Sequence, residues 1–74
     1  MITEIKNLDC IFIFTKNEYK YDFSQDSCGK KYSISLYEYN DYWKVSWFYK
    51  GDRNVYFKIF PKTIVEHISY GVKT

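Results

Sequence analysis

Alanine is missing from this chain, and arginine occurs once beside ten lysines. The single histidine, His67, has no nucleophile tied to it by spacing, because Cys10 and Cys28 lie in other segments. Serine- or cysteine-type catalysis needs a base paired to a nucleophile and usually a third orienting group. His67 therefore reads as a solvated or capping residue. Two cysteines and one histidine supply three metal ligands at most, without the closely spaced cysteine pair of structural zinc sites. The three glycines are isolated, which removes a phosphate-binding loop. Glu38, Asp41 and Asp52 fall at strand ends and turns, where carboxylates are solvated more often than catalytic. No catalytic residue, metal or cofactor is expected, and the chain reads as a non-enzymatic protein.

Other absences bound the compartment and the partners. No apolar run approaches the ~20 residues of a membrane span. The opening residues, MITEIKNLD, lack the basic start and apolar core of a signal peptide. The expectation is an intracellular, cytoplasmic protein, with Cys10 and Cys28 as free thiols rather than a disulfide. A net charge of +2 implies no strong field toward nucleic acid or membrane.

What the chain has instead is aromatic residues, 23% of the total. Seventy-four residues make a single small β-rich domain over 1–74, with a radius of gyration of roughly 11 Å when compact. Such a chain buries only about 60% of its unfolded surface. Aromatic rings compensate, since each can bury roughly 150–250 Å². Dimerisation through edge strands would help further. Phe, Tyr, Met, Ile, Asn and Lys supply about half the residues. These belong to AT-rich codons, which points to a low-GC bacterium, its phage or a plasmid. The richness in Tyr and Lys thus has a codon-level explanation beside a functional one.

Residues 31–60 organise the chain. KYSISLYEY, YWKVSWFYK and NVYFKIF alternate as three antiparallel strands, with residues two apart sharing a face. One face collects Ile34, Leu36, Trp43, Val45, Trp47, Val55, Phe57 and Ile59, and reads as core. Asn40 and Asp41 suit a two-residue turn with the positive φ of type I′. That turn sets Tyr37 opposite Lys44, Ser35 opposite Ser46 and Ser33 opposite Phe48. At the second turn a two-residue loop would pair Phe48 with Val55 and mix the faces. A three-residue loop at 51–53 pairs Trp47 with Phe57 and Phe48 with Tyr56, and is preferred. The outer face then interleaves aromatics and lysines.

The flanks complete the expected fold. Residues 1–8 fit a short helix or a first edge strand, with strand or coil preferred. Residues 9–23 read as a hairpin turning at Lys16 and Asn17, which sets Phe14 against Tyr19, Phe12 against Tyr21 and Cys10 against Phe23. CIFIF is apolar on both faces and should be central or covered on both sides. Residues 24–30 are a polar loop. After Pro61, Thr63 and Glu66 fit a capping box, Gly71 a helix stop, and Ile64, Val65 and Ile68 one apolar stripe. The expected class is α+β: a mainly antiparallel sheet of about five strands in two hairpin units. One short C-terminal helix packs on the inner face over Trp43 and Trp47.

The function then rests on the outer face, with Tyr37, Tyr39, Tyr42, Lys44, Phe48, Lys50, Tyr56 and Lys58 as the expected binding residues. Tyr-rich, moderately polar patches suit protein interfaces. The favoured expectation is a phage or mobile-element accessory or inhibitor that contacts a host or defence-system protein. The alternative is single-stranded DNA or RNA, stacked on the rings with lysines along the backbone. Scarce arginine and modest charge weigh against it. A third reading has the face covered by another element or by a second copy in a homodimer.

Overall fold

A strand that is apolar throughout favours a central place in its sheet over an edge, and LDCIFIFT has a strand on each side. The computed structural model describes residues 2–6, 8–24 and 31–72, with only the backbone at 31 and 32. In it, β2 (Leu8–Thr15) is the centre of a three-stranded antiparallel sheet, between β3 (Lys20–Ser24) and β7 (Val65–Val72). A second antiparallel sheet runs in the order β1 (Thr3–Ile5), β4 (Lys31–Glu38), β5 (Tyr42–Tyr49), β6 (Tyr56–Pro61). The described residues are all-β, seven strands in two sheets, and the radius of gyration is 12.1 Å.

The expected C-terminal helix is absent among the described residues, and this corrects the α+β class. Residues 65–72 form β7, paired with β2 along its length. The helix-like spacing has a local cause. Phe14 pairs with His67 and Thr15 with Val65, a bulge that leaves Glu66 extra. One extra residue puts Val65 and Ile68, three apart, against the same core, which imitates a helical stripe. An isolated helix of this length would be marginal in any case. Pro61 closes an edge strand, where its missing N–H costs nothing. The Pro61 carbonyl then accepts from Ile64 N at 3.1 Å in a single turn. Gly71 is a close-approach residue: a Cβ there would stand 3.2 Å from Cys10 Sγ.

Two further departures are one-residue slips. The first hairpin turns through three residues, 16–18, with Glu18 at φ 67° and Thr15 N donating to the Tyr19 carbonyl at 2.8 Å. A three-residue loop closed by a left-handed residue is a common hairpin form. It pairs Phe14 with Lys20, Ile13 with Tyr21 and Ile11 with Phe23, so Tyr21 and Phe23 face the core. The pairing expected from a two-residue turn is therefore displaced by one. At β5–β6, Trp47 pairs with Tyr56, Val45 with Lys58 and Trp43 with Phe60. This is the register set aside for mixing the faces. It puts Val55, Phe57 and Ile59 outside and Phe60 inside. A turn at 49–52 with Gly51 at φ 86° begins the connection, with Asp52 N donating to the Tyr49 carbonyl at 3.1 Å. Asp52 Oδ1 then accepts from Asn54 N at 2.9 Å, which lengthens the loop.

The β4–β5 register is the expected one, with Tyr37, Ser35 and Ser33 opposite Lys44, Ser46 and Phe48. The turn type is not, because neither Asn40 nor Asp41 takes positive φ. Residues 3–5 are a strand on β4, and β2 is central, both in line with expectation. The polar segment 25–30, and Cys28 with it, lies outside the described residues.

The two sheets bury Leu8, Ile11, Ile13, Phe23, Ile34, Leu36, Val45 and Phe60 between them. Phe60 stands edge-on to Tyr21 at 5.0 Å and to Phe23 at 6.0 Å, and Phe23 lies against Trp47 at 5.3 Å. Aromatic pairs at these separations contribute beyond their buried area.

Candidate binding face of the four-stranded sheet

The outer face of β1-β4-β5-β6 is built by alternation from Ser33, Ser35 and Tyr37, then Tyr42, Lys44, Ser46 and Phe48, then Phe57 and Ile59. The row at its free edge is apolar and bare: Val55 is 63% exposed, Phe57 61% and Ile59 47%. Single exposed apolar residues are ordinary, whereas a contiguous row is not. Behind that row sits Lys44. Its Nζ lies 4.8 Å from the Tyr37 ring centre, 5.6 Å from Tyr39 and 5.8 Å from Phe57. Each distance is within reach of a cation–π attraction. Tyr39 in turn stacks on Tyr42 at 4.5 Å. The face therefore presents one cation collared by rings, and beside it an apolar ridge.

Its far rim is formed by β1. Glu4 on β1 pairs with Tyr37 on β4. The phenol donates to that carboxylate, which pushes Tyr37 above its ordinary pKa, with burial adding to the shift. Lys6 approaches Glu4 at 3.5 Å.

Of the eight residues expected to bind, Tyr37, Tyr39, Tyr42, Lys44 and Phe48 come together at this face. Lys50 lies in the 49–52 turn and is exposed. Tyr56 and Lys58 turn to the other side. Tyr56 stacks on Trp47 at 6.2 Å, and its hydroxyl donates to Asp52 Oδ2 at 2.8 Å. Asp52 is held below the usual carboxylate range by the Asn54 N–H and then by this phenol. The same contact raises Tyr56. Lys58 Nζ stands 5.4 Å from the Tyr21 ring and 5.9 Å from Phe60, at the seam between the sheets. Val55, Phe57 and Ile59 take the vacated places. Only the β5–β6 turn carried that information, since the alternation of apolar residues favours the other register.

Two other features stand apart. Between β7 and the β1 end of the facing sheet is a cavity of about 470 Å³, lined by Ile5, Leu36, Trp43, Val65, Ile68 and Tyr70 among others. At its rim Lys62 Nζ meets Glu38 Oε2 at 2.7 Å and lies 5.3 Å from the Trp43 ring. On the outer face of the three-stranded sheet, His67 stacks on Phe14 at 4.2 Å, and its Nδ1 lies 3.9 Å from Glu66 Oε1. Cys10 is a half-buried free thiol. Among the described residues no group of three or more His, Cys, Asp or Glu stands close enough to hold a metal ion. No helix among them is long and apolar enough to cross a membrane. No protein-family model, curated protein or solved structure matches the chain.

Proposed function

We propose that the protein is a small non-enzymatic binding module that docks a protein partner on the outer face of the four-stranded sheet. Its role is that of an accessory or inhibitory factor of a phage or other AT-rich mobile element, directed at a host or defence-system protein. The observation that carries the docking reading is the bare row of Val55, Phe57 and Ile59 beside the ring-collared Lys44. Interface hot spots pair exposed aromatic anchors with a few charges that lose water on contact. An apolar ridge with one cation held by rings has that composition. Support for the source is compositional: the AT-rich codon residues that make up half the chain.

Single-stranded nucleic acid is the second reading, because rings and a lysine share the face. It has less support than the strand pattern alone suggested. Lys58 is turned to the seam, and Lys44 is already engaged by three rings. Phosphate tracking needs several free cations along one groove.

The test uses the whole protein as bait in lysate of a low-GC bacterium, beside its Phe57→Asp variant, with labelled DNA and RNA oligonucleotides in parallel. A partner kept by the wild type and lost by folded Phe57→Asp supports the proposal. A partner indifferent to both Phe57→Asp and Tyr37→Ala refutes this face. Salt-sensitive oligonucleotide binding that falls with Lys44→Gln makes the protein a single-strand binder instead.

A further inference from the structure

Two open sheets leave four edges, and exposed edges invite another strand unless they are short, charged or interrupted. Three of the four are protected here. β1 is three residues long. β3 is five residues long and carries Lys20 and Asp22. β6 presents the bare row of Phe57 and Ile59, but Lys58 interrupts the strand and Pro61, with no N–H to donate, ends it. β7 is different: eight residues, VEHISYGV, with no proline, no lysine and one carboxylate. It pairs with β2 on one side, and among the described residues no strand pairs with its other side.

The inward row of β7 is also incompletely covered. Ile68 and Tyr70 sit opposite Ile13 and Ile11, whose side chains are buried in the core, and Val72 continues the row. Yet Tyr70 is 45% exposed and Val72 56%. The facing sheet ends in the three-residue β1, and the cavity of about 470 Å³, lined by Thr3 and Ile5 on one side and Ile68 and Tyr70 on the other, lies between them. The structure thus has an unguarded strand edge and, beneath it, an apolar row that lacks a lid.

We propose that β7 is a self-association edge, pairing antiparallel with β7 of a second copy. The two three-stranded sheets then join into one of six strands, ordered β3-β2-β7-β7-β2-β3. A two-fold axis through a strand edge is isologous, so each copy meets the same residues. To keep core faces inward, residues of like parity must lie opposite one another. With the axis at Ser69, Ile68 falls opposite Tyr70 of the second copy, so the inward rows become cross-strand neighbours on one continuous face. Glu66 then faces Val72, so no like charges oppose across the pair. The charged or proline-ended edges of β3 and β6 offer no such match. The surface buried by one strand pair lies at the small end of specific interfaces. The dimer is therefore a concentration-dependent one. It leaves the outer face of the four-stranded sheet free and does not rest on the function proposed for it.

Sedimentation equilibrium of the whole protein from low micromolar to millimolar concentration tests this, together with backbone amide exchange at both ends of the range. The expected result is a monomer–dimer equilibrium in which alternate β7 amides, those on the free edge, gain protection with concentration. Tyr70→Lys weakens the dimer by an order of magnitude or more. Val72→Lys does the same from a more exposed position, should Tyr70→Lys fail to fold. Phe57→Asp leaves the equilibrium unchanged. A protein that stays monomeric at millimolar concentration overturns the proposal. So does a dimer that survives both lysine variants but dissociates with Phe57→Asp, which would put the contact on the opposite sheet's face.

Discussion

Phe57 and Phe60 stand three apart on one strand, and the register decides which of them is structural. Phe60 is 2% exposed, pairs with Trp43 and meets Tyr21 and Phe23 edge-on, whereas Phe57 is 61% exposed. Truncating a buried phenylalanine to alanine costs about 3–5 kcal/mol. Surface substitutions usually stay within about 0.5 kcal/mol. A domain of 74 residues has only about 4–11 kcal/mol of stability to lose. Phe60→Ala should therefore leave much of the protein unfolded at moderate temperature. Phe60→Leu provides the graded version. It keeps an apolar side chain but forfeits two aromatic pairs, each worth about 0.5–1.5 kcal/mol beyond area. The assay is urea unfolding followed by fluorescence of Trp43 and Trp47, which flank the site, with midpoints compared at constant slope. Expected is a large loss for Phe60→Ala, an intermediate one for Phe60→Leu and almost none for Phe57→Ala. If Phe57→Ala costs as much as Phe60→Ala, the β5–β6 register is wrong, and the exposed ridge of the binding face goes with it.

Other perturbations probe single contacts. Gly71→Ala should destabilise, because the new Cβ would stand 3.2 Å from Cys10 Sγ, and Cys10→Ala should relieve much of that loss in a double-mutant cycle; simple additivity would remove the steric explanation. Glu18 sits at φ 67°, so Glu18→Gly should raise the melting temperature slightly, left-handed strain of about 1–2 kcal/mol being partly offset by the entropy of a freer unfolded chain; a clear fall would contradict this. Lys62→Ala, which breaks a half-exposed pair with Glu38, should cost under about 1 kcal/mol, with the difference from wild type shrinking at high salt. Asp52 has a lowered folded pKa, so its hold on Asn54 and Tyr56 is complete above the ordinary value of 3.8 and is lost as pH falls through the lower folded value. Carboxyl chemical shifts should place its midpoint below 3.8, and Asp52→Asn should abolish the acid-dependent change in the turn amides; a midpoint at or above 3.8 would count against the hydrogen-bonded turn.

The parts of the fold legible in the chain were those with a single solution. CIFIF has no polar face to give to solvent, so its central place followed from composition. Asn40 and Asp41 leave only one even pairing for strands that alternate cleanly, so the β4–β5 register held even though neither residue adopts positive φ. The C-terminal strand was hidden by its bulge. The apolar positions 64, 65 and 68 satisfy helical spacing, and a strand with one extra residue satisfies it equally. What decides between them is β2, whose open side needs a strand rather than a helix, and that demand comes from a segment fifty residues away.

The two register slips have different lessons for the binding face. In the first hairpin a three-residue turn would have gathered Ile11, Ile13, Tyr21 and Phe23 on one side, so the hydrophobic pattern already favoured the observed pairing. In the β5–β6 hairpin the pattern favoured the wrong one. It assigns Val55, Phe57 and Ile59 to the core and leaves Lys58 outside, because it assumes that the inner face is covered out to the last strand. The cover is one strand narrower than the sheet it covers: three strands face four. At the uncovered margin Lys58 can lie on the inner side, its ammonium against the Tyr21 and Phe60 rings, while Phe60 alone is driven fully inward. Freed from the core, the other three apolar residues become the exposed ridge. At the opposite side the four-stranded sheet ends in the three-residue β1, and the cavity lies between it and β7. Both candidate surfaces of this protein, the ridge on β6 and the edge at β7, thus arise at the margins where two sheets of unequal width fail to cover one another.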